Sequence, residues 1–364
     1  MNWESPHVHP LDLTPDGSRL LAVNTAAAQL EVFATAGGLV EHQFSVPVGL
    51  DPVSVRARTN DEVWIVNHLS DSVSVVSLSQ RSVVRSIETE DEPCDVVFAG
   101  TPQRAFVSAS QVNEVQVFSL GGALVQTIDI LGEDPRSLSV SADGTRVYAA
   151  VFESGNASTI LGGGLTGGPV SHPKNVVSDP LGPYGGVNPP PNDGPNFDPP
   201  QKPGNPTPPR VGMIVKKDAA GNWMDDNGGD WTSLVSGPQA DRSDRPIGWD
   251  LPDRDLAVID ASALTVQSYT TGLMNMCMAI GVNPASGDVV MVGTDATNEI
   301  RFEPLLNGTF IRVNSARINA TGARQAVTDL NTHLDYTTSN VPQATRDLSI
   351  GDPRAVLFQP DGTR

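Results

Sequence analysis

His9-Pro10-Leu11-Asp12-Leu13-Thr14-Pro15-Asp16-Gly17 recurs without gaps as Arg136 to Gly144 (RSLSVSADG) and again as Arg354 to Gly362 (RAVLFQPDG). Each copy is an alternating run that ends in Asp-Gly. Alternation with period two suits a strand buried on one face, and Asp-Gly supplies the positive φ of a tight hairpin. A second strand follows the first two copies, over Arg19 to Asn24 and Arg146 to Val151.

Gly17 and Gly144 lie 144 − 17 = 127 residues apart, three units of about 42, within the range of propeller blades. The units between them are visible. One starts at Asp51-Pro52 and continues through Val63-Trp64-Ile65-Val66-Asn67; the next starts at Glu92-Pro93-Cys94 and continues through Arg104-Ala105-Phe106-Val107. Third strands follow at Gln29 to Phe33, Ser72 to Leu78 and Glu114 to Phe118, and fourth strands at Ser82 to Ile87 and Ala123 to Ile130. Four strands per unit of this length is the pattern of an all-β propeller of antiparallel four-stranded blades.

Composition agrees. The 364 residues include 34 Gly and 30 Pro, 38% apolar and 5% aromatic residues, a profile of many short strands joined by turns. No apolar run reaches the roughly 18 residues of a membrane helix. The net charge of −19 repels phosphate backbones and argues against nucleic-acid binding. Cys94 and Cys277 form no Cys-x-x-Cys pair and no disulfide framework. The N-terminus lacks the basic and apolar regions of a signal peptide, so the chain is expected either to stay inside the cell or to follow a removed leader.

Val63-Trp64-Ile65-Val66-Asn67-His68-Leu69-Ser70-Asp71-Ser72-Val73-Ser74-Val75-Val76 resembles the YVTN-type repeat, in which Tyr-Val-Thr-Asn runs through a polar turn into Val-Ser-Val-Ile. The resemblance spans residues 5–154 and, more loosely, 255–313. It implies a propeller similar to lactonases and to the haem-binding propellers of nitrite reductases, some of which are exported beside cytochrome c domains. The chain departs from the pattern at Trp64 and in its long insertions. It carries no Cys-x-x-Cys-His haem motif, so an electron-transfer role would need a further segment.

This reading gives five blades over residues 1–315, with a Pro/Gly-rich insertion at 153–254. A second insertion at 316–351 lies over the channel mouth, and 352–364 forms the first strand of a sixth blade, truncated there. An unpaired terminal strand invites pairing between chains as a homo-oligomer. Within the large insertion, Val211 to Val215 reads as a strand. The oxygen-rich Asp225-Asp226-Asn227-Gly228-Gly229-Asp230 suits calcium or, more simply, a solvated turn.

In a propeller, the start of each innermost strand and the end of each second strand share one face, and both insertions leave from it. Four histidines map there: His7, His9, His68 and His333. Imidazoles are common neutral ligands, and three with a water make an open zinc site whose hydroxide attacks esters. Arg136 and Arg354 suit an anionic substrate or the bracing of neighbouring blades. Glu153, Asp335 and Tyr336 are candidate acids or bases. Cys94 and Cys277 read as buried small apolar residues, and Met274, Met276 and Met278 as core. Two readings stand at this point. One is a metal-dependent hydrolase, with zinc the expected metal, acting on small phosphate, sulfate or lactone esters. The other is a non-catalytic ligand- or protein-binding propeller, or one that accompanies an electron-transfer domain.

Overall fold

The computed structural model describes residues 7–161, 179–186, 204, 213–225, 228–243, 246–296, 311–336 and 341–362. It contains five antiparallel four-stranded blades, each laid out in chain order from the inside outward. Blade one is β1 (Leu11–Leu13), β2 (Arg19–Asn24), β3 (Gln29–Ala34) and β4 (Glu41–Pro47). Blade two is β5 (Pro52–Ala57), β6 (Glu62–Asn67), β7 (Ser72–Ser77) and β8 (Ser82–Glu88). Blade three is β9 (Pro93–Ala99), β10 (Arg104–Ala109), β11 (Glu114–Ser119) and β12 (Leu124–Asp129). Blade four starts with β13 (Glu133–Val140) and β14 (Arg146–Glu153), then leaves the blade for a small sheet of β15 (Ser158–Leu161), β16 (Met213–Lys217) and β17 (Trp223–Met224). After a short helix α1 (Thr232–Val235) the chain returns to complete the blade with β18 (Leu256–Asp260) and β19 (Thr265–Thr270). Blade five is β20 (Met276–Val282), β21 (Val289–Ala296), β22 (Ile311–Ile318) and β23 (Arg324–Asp329). The inner strands touch in the order β1, β5, β9, β13, β20, the arrangement of a propeller wall.

The second strands of blades two, three and four are apolar on both faces because each separates two cores. Val63 and Ile65 of β6 pack with blade one, beside Leu21, Leu30 and Val32. Their neighbours Trp64 and Val66 pack the other way, with Val96, Ala105 and Phe118 of blade three. Phe106 of β10 goes to the next core, which it shares with Val147, Ala149 and Val151, whereas Tyr148 and Ala150 face blade five. Successive side chains of a strand point to opposite faces, so a continuous apolar run fills two inter-blade spaces. Trp64 stands where the repeat has Tyr; its ring meets Phe98 edge-on at 5.4 Å and its Nε1 donates to Glu62 at 2.8 Å. The outer strands β8, β12 and β23 are mostly exposed.

The Asp-Gly turns form as the sequence requires. Asp16 Oδ1 accepts from Thr14 Oγ1 and from the backbone N–H of Ser18. Asp143 repeats the set with Ser141 and Thr145, and those donors hold its carboxyl down at about 2. Gly17 and Gly144 both have φ of +68°, which only glycine adopts without strain.

Blades are stitched near the channel by hydroxyl-to-carbonyl bonds. Thr25 Oγ1 donates to Pro52 O at 2.7 Å, Ser54 Oγ to Cys94 O at 2.6 Å and Ser108 Oγ to Arg136 O at 2.6 Å. The largest tie is ionic. Arg56 of β5 forks onto the fully buried Asp95 of β9 and reaches Leu138 O of β13, while Asp95 also accepts from Leu138 N.

Two expected boundaries move. Blade five does not end at 315, because Arg324–Asp329 forms its fourth strand against β22. The second insertion therefore starts after Asp329, and the loop 297–310 inside blade five lies outside the described residues. Residues 352–362 form no ladder but run beside β20, where Asn283 Nδ2 donates to Gly362 O at 3.0 Å and Val356 packs on Gly281. Neighbouring inner strands make only isolated bridges, as His9 does with Ser54. An inner strand takes its ladder from the second strand of its own blade, and none follows 352–362 among the described residues.

The ionic tie gives a stability prediction. Arg56→Met should lower the free energy of unfolding by about 3 kcal/mol, since it strands a buried carboxylate. Arg58→Gln, which breaks the more exposed pair with Glu62, should cost less than about 1 kcal/mol. Urea unfolding of both variants checks this, and equal losses would refute the assignment.

Candidate functional site

The mouth is built from the ends of β14, the starts of β13, β18 and β20, and the two segments that leave and re-enter there. The departing and returning strands of the large insertion are clipped together. Gly155 N donates to Pro252 O and Arg254 N to Ser154 Oγ, while Asn156 Nδ2 ties the departing strand to blade five at Asp295 Oδ1 and Ala296 O. The inserted module has its own core of Leu161, Val215, Trp223, Trp231 and Leu234. Its organiser is Asp225, whose carboxylate accepts from Tyr184 OH at 2.6 Å, Trp231 Nε1 at 2.8 Å and Gly229 N at 2.8 Å. Asp230 caps Thr232 N. The stretch proposed for calcium thus turns Asp225 and Asp230 towards protein donors; Asp226 and Asn227 lie outside the described residues.

The four histidines have four separate surroundings. His7 Nε2 meets Thr25 Oγ1 at 2.5 Å. His9 is driven down to about 4, first by burial and then by the nearby Arg56 guanidinium, so its imidazole is neutral. His68 Nδ1 lies 3.2 Å from Pro93 O and 3.7 Å from Cys94 Sγ, with its Nε2 3.7 Å from Glu92. His333 is exposed in the second insertion, 3.4 Å from Ser349 Oγ. Among the described residues no three His, Cys, Asp or Glu side chains are gathered as a metal would need, so the expected zinc cluster does not assemble from this set. The row Cys94–His68–Glu92 has the order of a nucleophile, base and orienting acid. Burial nevertheless pushes the thiol up to about 12, which leaves Cys94 protonated and inert.

Arg136 is held rather than free. Its Nε and Nη2 fork onto Asp134 at 2.9 and 2.6 Å, and its guanidinium lies 3.9 Å above the Phe152 ring. Arg354 repeats the Asp-Pro-Arg fork with Asp352, but exposed. Glu153 is exposed at the end of β14, beside Arg136 and opposite Met276. Asp335 is exposed beyond β23. Its neighbour Tyr336 donates to Asp329 at 2.8 Å and lies under the Arg312 guanidinium at 4.1 Å, and its hydroxyl rises to about 12, first by desolvation and then through Asp329.

Sequence reasoning missed the feature with the most pronounced chemistry. Asp253 and Asp255 bring the chain back into blade four. Asp255 is fully buried; its Oδ2 accepts from Leu273 N at 2.7 Å, and its Oδ1 has no hydrogen-bond partner. Burial, and then the negative charge of Asp253, raise its carboxyl to about 8, well above the usual carboxylate range. Asp253 is half-buried and receives Gly272 N at 2.9 and 3.1 Å. Asp295, also raised by burial, lies across the clip. The available signal was an Asp-x-Asp at the re-entry point, which the insertion's length obscured.

Comparison with known proteins now bears on this arrangement. Residues 2–177 match the family model described as "Lactonase, 7-bladed beta-propeller". The chain is similar in structure to Kuenenia stuttgartiensis hydrazine synthase, with a TM-score of 0.59 at 15% identity, covering 100% of this chain and 73% of that one. A candidate 6-phosphogluconolactonase from Bacteroides uniformis superposes with a TM-score of 0.45 at 12% identity, covering 92% of this chain and 75% of that one. No curated protein matches the sequence significantly. At such identities the structural likeness concerns the fold.

The carboxyl pair predicts a pH signature. A carboxyl raised in the folded state contributes stability that is complete below the unfolded value near 3.8 and lost as pH rises through about 8. Asp255→Asn mimics the protonated form, so its thermal midpoint relative to the parent should climb between pH 5 and pH 9. A constant difference across that range would show that Asp255 is ionised in the fold.

Proposed function

We propose that this chain is a hydrolase that opens lactones or related activated carboxylic esters at the propeller mouth, with Asp253 as general base. The observation that carries the reading is the carboxyl pair: a partly accessible Asp253 beside a fully buried Asp255, whose Oδ1 has no hydrogen-bond partner among the described residues and whose carboxyl is raised by burial and by Asp253. Pairs of carboxyls whose surroundings drive their proton affinities apart are the usual form of acid–base machinery. The match of residues 2–177 to a lactonase propeller model supports the same chemistry from an independent direction.

In this reading a water lies against Asp253 and attacks the acyl carbon as the carboxylate takes its proton. The acyl C–O bond then breaks, and the departing alkoxide recovers that proton, so lactone plus water gives a hydroxy acid. Gly272 N–H fixes Asp253 without using all its lone pairs. The neutral Asp255 supports it from below without adding a second charge. Arg136, already compensated by Asp134, serves as a rigid wall of the mouth, with Glu153 beside it at the rim. No step draws on the histidines; His7, His68 and His333 meet protein atoms.

The test is acid release from a panel of γ- and δ-lactones, followed with a pH indicator. Asp253→Asn should lower kcat/KM by at least about 100-fold, while Asp255→Asn should keep most activity because the native group is already neutral. Lactone binding without acid release by the parent chain would overturn the hydrolase reading in favour of a binding propeller.

A further inference from the structure

A second concave feature lies at the opposite end of the molecule, in the groove between blades one and two. It encloses about 510 Å³ and is lined by Arg19, Glu41, His42, Gln43, Phe44, Leu78, Ser79 and Arg81. Arg19 begins β2, Glu41 to Phe44 begin β4, and Leu78 to Arg81 follow β7. All of these lie at the strand ends away from the mouth. From this groove we infer a binding site for a small phosphomonoester, separate from the proposed catalytic mouth.

The case is one of charge against background. The chain carries −19 overall, yet this groove gathers two guanidiniums against one lining carboxylate, Glu41, while its imidazole, His42, is already paired with Glu31. Among the described residues, neither Arg19 nor Arg81 has an ion-pair partner within 4.0 Å. Asp61, which feels the charge of Arg19, is engaged by Ser79 N at 2.6 Å and Ser77 Oγ at 2.9 Å. The basic groups are also positioned. Arg81 sits in a turn with φ of +53° and lies 4.7 Å from the centroid of the Phe44 ring. His42 is fixed by Glu31 at 2.9 Å and by the edge of Phe33 at 5.3 Å.

Two guanidinium forks match the several oxygens of a phosphate dianion, to which arginine bonds in bidentate fashion. The volume lies in the range of about 300–1,000 Å³ that holds a small organic molecule rather than a bare ion. The apolar flank of Phe44 and Leu78 would take the body of the ester. A singly charged sulfate ester gains less from the same forks and meets the same Glu41.

Calorimetric titration of the full chain with phenyl phosphate, phenyl sulfate and phenol tests this. Phenyl phosphate should bind at least about tenfold more tightly than the sulfate, with no heat from phenol. Arg81→Gln, on an exposed turn, should weaken phosphate binding about tenfold, and adding Arg19→Gln should abolish it. Asp253→Asn should leave this binding unchanged, which separates the groove from the mouth. No phosphate binding by the parent chain, or binding lost in Asp253→Asn but kept in the double arginine variant, would overturn the inference.

Discussion

A guanidinium and a carboxylate near the channel hold three blades in register. Asp95 is fully buried, so its charge is tolerable only because Arg56 forks onto it and Leu138 N–H completes its shell. Arg56 in turn reaches Leu138 O. Blade two, blade three and blade four therefore meet at one compensated charge pair. The neutral His9 of blade one lies in the same field, its proton affinity lowered by burial and by Arg56. The inner strands held by this pair carry the strand starts that form the mouth. The outer strands, mostly exposed, contribute little to that geometry.

The same wall explains why the repeat tolerates a long excursion. The break after Glu153 falls between the second and third strands of blade four, at the solvent end of both. β18 then pairs with β14 from Ala150↔Leu256 to Arg146↔Asp260 as if nothing intervened. The inserted module keeps its own core and its own organising carboxylate, Asp225. The blade is thus spared any packing duty towards it, apart from the clip at Gly155, Arg254 and Asn156. That clip is also what brings Asp253 and Asp255 to the mouth.

Much of the architecture was legible in the chain because strand periodicity and Asp-Gly turns are local signals. Residues 9–17 and 136–144 form strand and turn as read, down to the shared φ of the two glycines. The apolar runs at Val63 to Val66 and Val147 to Val151 showed that both faces of these strands would be covered. Cys94, Cys277 and Met274 are buried as expected, whereas Met276 and Met278, also expected in the core, are only half-buried because they lie on the other face of β20 from Cys277. The reading weakened where the repeat did. β23 lies in a segment of mixed polarity, Arg324–Asp329, with no apolar alternation to mark it, because an outermost strand buries almost nothing.

The site divides in the same way. Sequence by itself determined that the strand starts and second-strand ends share one face, since that follows from blade topology; it placed His9, Arg136 and Glu153 on that face for the same reason. Which side chains meet was decided only by tertiary structure. Side-chain partners depend on contacts across tens of residues, and no spacing rule encodes them. His9 and His68 point to different partners; Arg136 is taken by Asp134 two residues away. The raised proton affinity of Asp255 arises only because folding buries that carboxyl and sets Asp253 beside it. The guanidiniums of Arg19 and Arg81 line one groove only when blades one and two pack.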